Sequence, residues 1–360
     1  MRKRVAVVGA TGIAGQQFLL ALAQHPWFEI VVLAASERSA GKTYGAALRD
    51  VKTGALRWWC PEEPPAHLLD LPVENADGLE LGGVDLVFSA VESDAARVLE
   101  PRYAETTPVL STASAFRYEE DVPILVPGVN PEHAAQIDRQ RRARGWRGFI
   151  APLPNCTTMG LVVTLRPLLD RFGIQRVVMT SMQGVSGAGR SPGVMALDIL
   201  DNVIPYIPGE EEKVARETGK VLGRLDGEHG IVPAPFPVSA TCTRVGVSEG
   251  HTEAVTVSLA APAAPADVAA AFRDFGREWA RLELPSAPRR LITVHDDPFR
   301  PQPRLDRDAD GGMTTSVGRI REAAALEHGV KYVLVSHNTR MGAARGAVLT
   351  AEHLALSGYV

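Results

Sequence analysis

The segment LPNCTTMG, residues 153–160, places a cysteine between an asparagine and two threonines, directly before an apolar run with helical spacing. A cysteine attacks as the thiolate, and a helix N-terminus or a nearby imidazole favours that form. Cys156 stands where the helix would begin. It is therefore either a buried structural thiol or a nucleophile, and a nucleophile needs a base.

Nine histidines could supply that base. His251 stands out because Gly250 and His251 open a strand with alternating apolar residues, and Arg244 lies seven residues earlier. Taken alone, His251 is better explained as a hydrogen-bonded structural histidine. The residues by themselves do not identify the base for Cys156.

A second centre of chemistry is the glycine turn GATGIAG, which fits G-x-x-G-x-x-G. It follows the apolar strand RVAVV and precedes a helical pattern. Gly9, Gly12 and Gly15 would allow a tight turn and close backbone approach, so that the N–H groups of the helix start meet a diphosphate. The context favours dinucleotide binding over a mere tight turn.

The end of the second strand predicts which dinucleotide is bound. Sites for NAD usually carry a carboxylate there, whereas this sequence offers Ser36, Arg38 and Ser39. A serine–arginine pair can hold a 2′-phosphate. Glu37 lies among them, and a solvated polar loop is the alternative. We favour NADP.

The composition is typical of a globular protein. The 360 residues suggest two domains, with 45% hydrophobic residues, 22% charged residues and a net charge of −4. Nothing indicates a nucleic-acid partner, a membrane span or a signal peptide. The cysteines Cys60, Cys156 and Cys242 form neither a disulfide framework nor a metal motif. A cytoplasmic enzyme with reduced thiols is expected.

Strands alternate with helices in the first part of the chain, which predicts βαβ units and a parallel sheet. Further strands are predicted at 29–36, 84–90, 107–112 and 123–130, and amphipathic helices at 132–144 and 266–282. The longer strands at 176–184 and 251–259 suit an antiparallel sheet with one covered face. A small-residue helix is expected at 341–355.

The whole chain resembles the aspartate-semialdehyde dehydrogenases, in their archaeal and fungal branch. The resemblance rests on GATGIAGQ, PNCTT, MQGVSGAGR, GEEEKVARET, RVGVSEGHTE and SHNTRMGAARG, in this order. It implies an α/β fold with a Rossmann-like NADP-binding domain, residues 1–154 and 337–360. An α+β catalytic and dimerisation domain with a mixed, largely antiparallel sheet would span residues 155–336.

The family reduces L-aspartyl-4-phosphate to L-aspartate 4-semialdehyde with NADPH, in the biosynthesis of lysine (through diaminopimelate), threonine and methionine. The resemblance implies that Cys156 forms a thioester and that His251 is the general acid/base. Gln183 would position the reacting centre, and Asn155 would help to hold the acyl oxygen. A homodimer or homotetramer is also implied.

Substrate and cofactor ligands follow from the same resemblance. Arg244 would bind the α-carboxylate, Glu211 the α-ammonium, and Lys213 with Arg117 the phosphate. Each of these, read singly, would pass as a solvated surface group. The residues implied at the cofactor are Gly9, Thr11, Gly12, Ile13, Gly15, Ser36, Arg38, Ser39, Ser186, Gly187 and Asn338.

Three alternatives remain. A malonyl-CoA reductase of the same architecture would use the same cysteine–histidine pair, although Asn155 and the Glu211/Lys213 pair favour the aspartyl substrate. An N-acetyl-glutamyl-phosphate reductase differs around the cysteine. A silent dinucleotide-binding scaffold or redox sensor would not need Cys156, Gln183, Arg244 and His251 together. Cys242 is interpreted as a packing residue, and Cys60 receives no role.

Overall fold

The structure is a computed structural model that describes residues 2–189, 193–227 and 230–360. The chain divides into two units. The first comprises the chain up to Pro123, His133–Leu153 and Ala343–Val360, and the second comprises Ile124–Glu132 and Pro154–Gly342. The division predicted from the sequence differs from this one mainly in assigning 124–132 and 337–342 to the first domain. The end of the MQGVSGAGR motif, Arg190, lies outside the described residues.

The first unit is built on a parallel sheet. Its strands are β1 (Lys3–Val8), β2 (Phe28–Ala35), β3 (Val73–Asn75), β4 (Leu86–Ser89), β5 (Val109–Ser111) and β6 (Ile150–Pro152). They lie in the order β3-β2-β1-β4-β5-β6, with every pair parallel. This is the strand order of a Rossmann fold, in which ligands bind at the carboxyl edge where the order reverses, between β1 and β4.

Helices flank this sheet, and the C-terminal helix belongs to the same unit. They are α1 (Ile13–Leu22), α2 (Tyr44–Ala47), α3 (Ser93–Ala104), α4 (Gln136–Arg144) and α11 (Ala344–Leu356). Helix α11 packs against α1. The strand core is dry, since the side chains of Val5, Val7, Leu33 and Phe88 have no exposed surface.

The second unit contains a larger sheet. The strands of this unit are β7 (Ile174–Gln183), β8 (Val203–Ile204), β9 (Arg224–Asp226), β10 (Gly230–Val232), β11 (Val238–Val245), β12 (His251–Leu259), β13 (Ile292–Val294), β14 (Thr315–Glu322) and β15 (Gly329–Ser336), of which β9 and β10 pair only with each other. Seven of the described strands form a mixed sheet in the order β13-β14-β15-β12-β7-β11-β8. Its neighbours are antiparallel except for β7–β11 and β13–β14.

The helices of the second unit are α5 (Cys156–Phe172), α6 (Ala196–Ile199), α7 (Glu210–Val221), α8 (Pro265–Asp274), α9 (Arg277–Ala280) and α10 (Pro303–Asp306). Helices α5, α7 and α8 contact the large sheet. On β12 the residues His251, Glu253, Val255 and Val257 are buried, whereas the residues between them are half-buried or exposed. The predicted alternation of this strand is confirmed.

One element predicted from the sequence is wrong, and another is divided in two. The run Pro123–Asn130 forms no strand, because Asn130 takes up its peptide groups: Oδ1 accepts the Val126 N–H at 2.8 Å, and Nδ2 donates to the Ile124 carbonyl at 2.8 Å. The predicted helix over 266–282 is interrupted at Gly276, whose φ of +79° is left-handed.

The α/β fold class, with a Rossmann-like sheet and a second mixed sheet, is confirmed. Among the described residues no helix combines the length and the apolar character needed to cross a membrane.

Candidate active site

Cys156 is the first residue of α5 and is partly buried. Asn155 caps the helix, because its Oδ1 accepts the N–H of Thr157 at 2.9 Å and of Thr158 at 3.4 Å. The sulfur therefore lies at the positive end of the helix, where a thiolate is favoured. The predicted position of the cysteine at a helix start is confirmed.

His251 contacts this sulfur. Its Nε2 lies 3.2 Å from Cys156 Sγ, and its Nδ1 accepts the Gly184 N–H at 3.2 Å. Burial, followed by the charge of Arg244, lowers the pKa of His251 to about 3. The imidazole is thus neutral near pH 7, and because Nδ1 accepts a hydrogen bond, the ring proton sits on Nε2, facing the sulfur.

Strand register sets the neighbours of this pair. Gln183 ends β7 next to Arg244 on β11, and Arg244 Nη1 donates to the Gly184 carbonyl at 2.8 Å and to Gln183 Oε1 at 3.5 Å. Gln183 Nε2 in turn donates to Ser181 Oγ at 3.1 Å. The chain therefore brings Cys156, His251, Gln183 and Arg244 together, as the motifs predicted.

Arg244 is a buried cation with neutral partners. It is 6% exposed, and burial lowers its pKa. Within the described ranges it forms no ion pair, and both of its acceptors are uncharged oxygens. A buried guanidinium that lacks a carboxylate is suited to bind one from a ligand.

Helix α7 contributes carboxylates to the same region. Glu210 Oε1 accepts Asn155 Nδ2–H at 3.0 Å, Glu217 Oε2 accepts the Asn155 N–H at 2.5 Å, and Lys213 Nζ lies 4.0 Å from Glu210 Oε2. Glu211 instead accepts the Cys242 N–H at 3.0 Å. Sequence reasoning missed Glu210 and Glu217, although their spacing of seven puts them on one helix face with Lys213.

Three residues predicted at the cofactor lie beside the cysteine–histidine pair. Asn338 accepts the Gly250 N–H at 2.8 Å and donates to Ser186 Oγ at 2.8 Å. A Cβ on Gly187 would come within 2.8 Å of Arg244 Nη1 and 3.3 Å of His251 Cε1, so a side chain there would fill the site.

Arg117 belongs to the first unit and is buried. Its Nε donates to the Leu153 carbonyl at 2.8 Å, and its Nη2 donates to the Thr112 carbonyl at 2.9 Å. These contacts fix the guanidinium on the chain that leads toward Asn155. Its predicted role at a phosphate stays a prediction.

The glycine turn, which we call the cofactor turn (Gly9–Gly15), follows β1 and includes the first residues of α1. Gly9 has a φ of +83°, and a Cβ on it would lie 2.4 Å from the Ala90 carbonyl oxygen. A Cβ on Gly15 would lie 2.2 Å from Gly9 O. By contrast, Gly12 is exposed and a Cβ there would meet only Gly9 O, at 3.4 Å. Its missing side chain thus leaves room for a ligand.

The remaining predicted cofactor residues follow the two central strands. Thr11 and Ile13 belong to the cofactor turn. Ser36, Arg38 and Ser39 follow β2, whose carboxyl end lies beside that of β1. Ser36 and Arg38 are exposed, and Ser39 is buried with its N–H on the Ser36 carbonyl. The turn and this polar loop therefore line one edge of the sheet.

The other cysteines differ from Cys156. Cys242 is fully buried, and burial raises the pKa of its thiol to about 12. Cys60 is buried as well. A buried thiol that does not ionise near neutral pH is a packing residue, as predicted for Cys242.

Comparisons with known proteins agree with this geometry. Residues 4–137 match the family model "Semialdehyde dehydrogenase, NAD binding domain", and residues 165–341 match "Semialdehyde dehydrogenase, dimerisation domain". The aspartate-semialdehyde dehydrogenase of Methanothermobacter thermautotrophicus is 48% identical over 97% of both chains. That of Candida albicans is 44% identical over 98% of both chains.

Solved structures give the same result. The Candida albicans enzyme, crystallised with NADP, has a TM-score of 0.88 at 40% identity and covers 100% of both chains. Aspartate-semialdehyde dehydrogenase II of Vibrio cholerae, complexed with ASA, has a TM-score of 0.76 at 29% identity over 99% of both chains. These relatives favour neither a malonyl-CoA reductase nor a silent scaffold. The chain belongs to the aspartate-semialdehyde dehydrogenase family, as its motifs indicated.

Proposed function

We propose that the protein catalyses the NADPH-dependent reductive dephosphorylation of L-aspartyl-4-phosphate to L-aspartate 4-semialdehyde, through a thioester on Cys156. The observation that carries this proposal is the Cys156–His251 contact of 3.2 Å at the start of α5, beside the buried Arg244. A scaffold or sensor would need no such cluster. The product would supply the biosynthesis of lysine, threonine and methionine.

Cys156 acts as the nucleophile. Its thiolate attacks the acyl carbon, the new C–S bond forms, and the C–O bond to phosphate breaks with release of inorganic phosphate. Near the sulfur, the helix N-terminus and the Arg244 charge stabilise the thiolate before attack.

His251 stabilises the charge that develops in the second half of the reaction. NADPH, when bound, supplies the hydride that reduces the thioester. His251 Nε2–H donates a hydrogen bond to the acyl oxygen as negative charge develops there. When the C–S bond breaks, the carbonyl of the aldehyde forms again and Cys156 leaves as the thiolate, so the imidazole stays neutral, as its low pKa requires.

The ligands of the substrate are assigned by charge. Arg244 binds the α-carboxylate in a bidentate manner. For the α-ammonium we propose Glu210 in addition to the predicted Glu211, because Glu210 lies beside Asn155 and Lys213, whereas Glu211 is engaged by a strand N–H. Lys213 and Arg117 bind the phosphate. Gln183 and Asn155 keep their positioning roles.

The first unit holds NADP in this proposal, with its diphosphate on the cofactor turn and its 2′-phosphate at Ser36, Arg38 and Ser39. The exposure of Gly12 and of Arg38 supports the fit, because both can reach a ligand from solvent. Asn338, Ser186 and Gly187 of the second unit serve the nicotinamide end.

We infer a homodimer formed through the second unit. One face of its sheet carries α5, α7 and α8, and the opposite face presents small and β-branched side chains, including Val178 at 46% exposure and Thr180, Ala254 and Thr256. The family model of this unit is described as a dimerisation domain. A tetramer, which the family resemblance implies, and a cytoplasmic location stay predictions.

The reaction is tested in the reverse direction. Purified protein receives aspartate semialdehyde and NADP⁺, and NADPH formation is followed by absorbance with and without phosphate. Phosphate-dependent NADPH formation is expected. No reaction with this substrate, together with NADPH oxidation by malonyl-CoA, would keep the nucleophile and replace the substrate.

A further inference from the structure

We propose that Tyr44 and Gln16 are positioning residues for the cofactor turn. They fix the peptide groups of Ala10 and Thr11, so that the Thr11 N–H faces the diphosphate of NADP. This inference rests on the proposed function, since it takes the cofactor turn as the diphosphate site. It concerns residues to which neither the motifs nor the family resemblance gave a role.

Tyr44 holds the first peptide group. Its phenol has no exposed surface and donates to the Ala10 carbonyl at 2.9 Å. Burial raises the pKa of Tyr44, so the hydroxyl remains a donor. In a trans peptide the C=O and the following N–H point in opposite directions. The Ala10 carbonyl faces Tyr44, and the Thr11 N–H must therefore face away from it.

Gln16 holds the second peptide group. Its side chain is 2% exposed, and its Nε2 donates to the carbonyls of Thr11 at 3.1 Å and Arg57 at 2.9 Å. Its Oε1 accepts the Trp59 N–H at 2.7 Å. These contacts join α1, the cofactor turn and the segment 57–59, and they keep the Thr11 carbonyl away from the ligand.

The glycine-rich backbone of the cofactor turn needs side chains that fix its peptide groups. A turn with Gly12 as its helix cap has an easily rotated backbone, and a flipped peptide would point a carbonyl at the phosphates. Three other N–H groups of the turn are already used: those of Gly9 and Ala10 both bind the Ala34 carbonyl, and that of Gly12 binds Gly9 O. Among the described residues the Thr11 N–H has no partner, which leaves it for an anion with the first N–H groups of α1.

The test removes the phenolic hydroxyl alone. Tyr44→Phe should raise the Kd of NADP⁺, measured by calorimetry, about fivefold to tenfold, and raise the KM for NADP⁺ with kcat unchanged. Tyr103→Phe is the matched control, because the Tyr103 phenol is also buried in the first unit and donates to a backbone carbonyl, that of Ala76, at 2.6 Å. This control should lose thermal stability without losing NADP⁺ affinity.

A second pair of variants guards against poor folding of the first. Gln16→Met is compared with Gln140→Met, since Gln140 is equally buried and makes the same pattern of contacts, with the carbonyls of Asp121 and Ile150 and the Ile150 N–H. Only Gln16→Met should weaken NADP⁺ binding.

A ligand without a diphosphate separates positioning from general damage. Adenosine 2′-monophosphate reaches the loop after β2 but not the cofactor turn, so its inhibition constant should be the same in Tyr44→Phe and wild type. Equal NADP⁺ affinity in the test and control variants, or equal losses for both ligands, would overturn the inference. Failure of the wild type to bind NADP⁺ would instead refute the proposed function.

Discussion

The cofactor turn and the catalytic cluster are both polar, but they are made from different parts of the chain. The turn presents peptide N–H groups, and its important side chains, Gln16 and Tyr44, are buried behind it. The cluster presents side chains, with Cys156 at a helix start and His251 and Arg244 at strand ends. A site made of peptide groups depends on backbone conformation, whereas a site made of side chains depends on single functional groups. The loss of function on substitution should therefore be graded at the cofactor turn and abrupt at the catalytic cluster.

The most abrupt loss is expected for Cys156→Ala. Turnover should fall by more than about 10⁴-fold, because no thioester can form, while NADP⁺ binding stays within about twofold. Steady-state kinetics and calorimetry check both values. Cys242→Ala, which removes a buried thiol of the same unit, should remain active, and a comparable loss in that variant would remove the contrast between the two cysteines.

Arg244→Lys comes next in size. An ammonium cannot form the planar bidentate contact with a carboxylate, so the KM for aspartate semialdehyde should rise about 10²-fold. Arg166→Lys, at an ion-paired position on α5, is the control and should leave the KM unchanged. Unaltered kinetics in Arg244→Lys would exclude this arginine from the substrate site.

A smaller effect is expected at the cofactor end. Arg38→Ala should raise the KM for NADP⁺ about tenfold and leave that for NAD⁺ unchanged, because only NADP⁺ carries the 2′-phosphate. The exposed Arg102, in α3, gives the matched alanine control. Equal changes in the KM values for NADP⁺ and NAD⁺ would show that Arg38 does not bind the 2′-phosphate.

The smallest effect concerns stability. Glu253 lies two residues after His251, is fully buried, and has no hydrogen-bond partner for either oxygen; burial raises its pKa well above the ordinary 4.5. The folded protein thus keeps a proton that the unfolded chain releases above pH 4.5, and stability from this group is lost as the pH rises.

Glu253→Gln replaces that neutral acid with a neutral amide. Its Tm should exceed that of the wild type by a few degrees near pH 8 and by less near pH 5, as measured by calorimetric scans at both values. The exposed Glu80→Gln should show no such divergence. A Tm gain independent of pH would mean that Glu253 is ionised in the folded protein.

His251 has the opposite dependence. Its pKa is lowered from 6.5 to about 3, so the unfolded chain binds the extra proton, and stability from this residue falls as the pH drops below 6.5. Two side chains on the same face of β12 therefore weaken the fold at opposite ends of the pH scale.

Much of the architecture was predictable, because hydrophobic periodicity is a local property of the chain. The alternation of His251–Leu259 and the helix start at Cys156 are visible in the sequence. The run Pro123–Asn130 was misassigned because its peptide groups bind a side chain of the same segment, and no pattern of apolar residues shows this.

The candidate site shows the same limit at the level of single residues. Three successive glutamates begin α7, and the sequence does not show which of them points toward Asn155. That depends on the rotation of the helix about its axis, which is set by packing against β11 and α5. Glu217 was missed for the same reason, since its partner is a backbone N–H of another segment.

The contact between Glu210 and Asn155 has a consequence for the order of events. Glu210 Oε1 binds the amide of the residue that caps the helix of the nucleophile. If the amino group of the substrate binds Glu210 Oε1, the Asn155 side-chain N–H loses its acceptor. That N–H donor then becomes available one residue before the Cys156 thiol. Recognition of the amino end of the substrate and preparation of the acyl end for attack would then depend on the same carboxylate. A substrate without the amino group would leave the Asn155 N–H bound to Glu210.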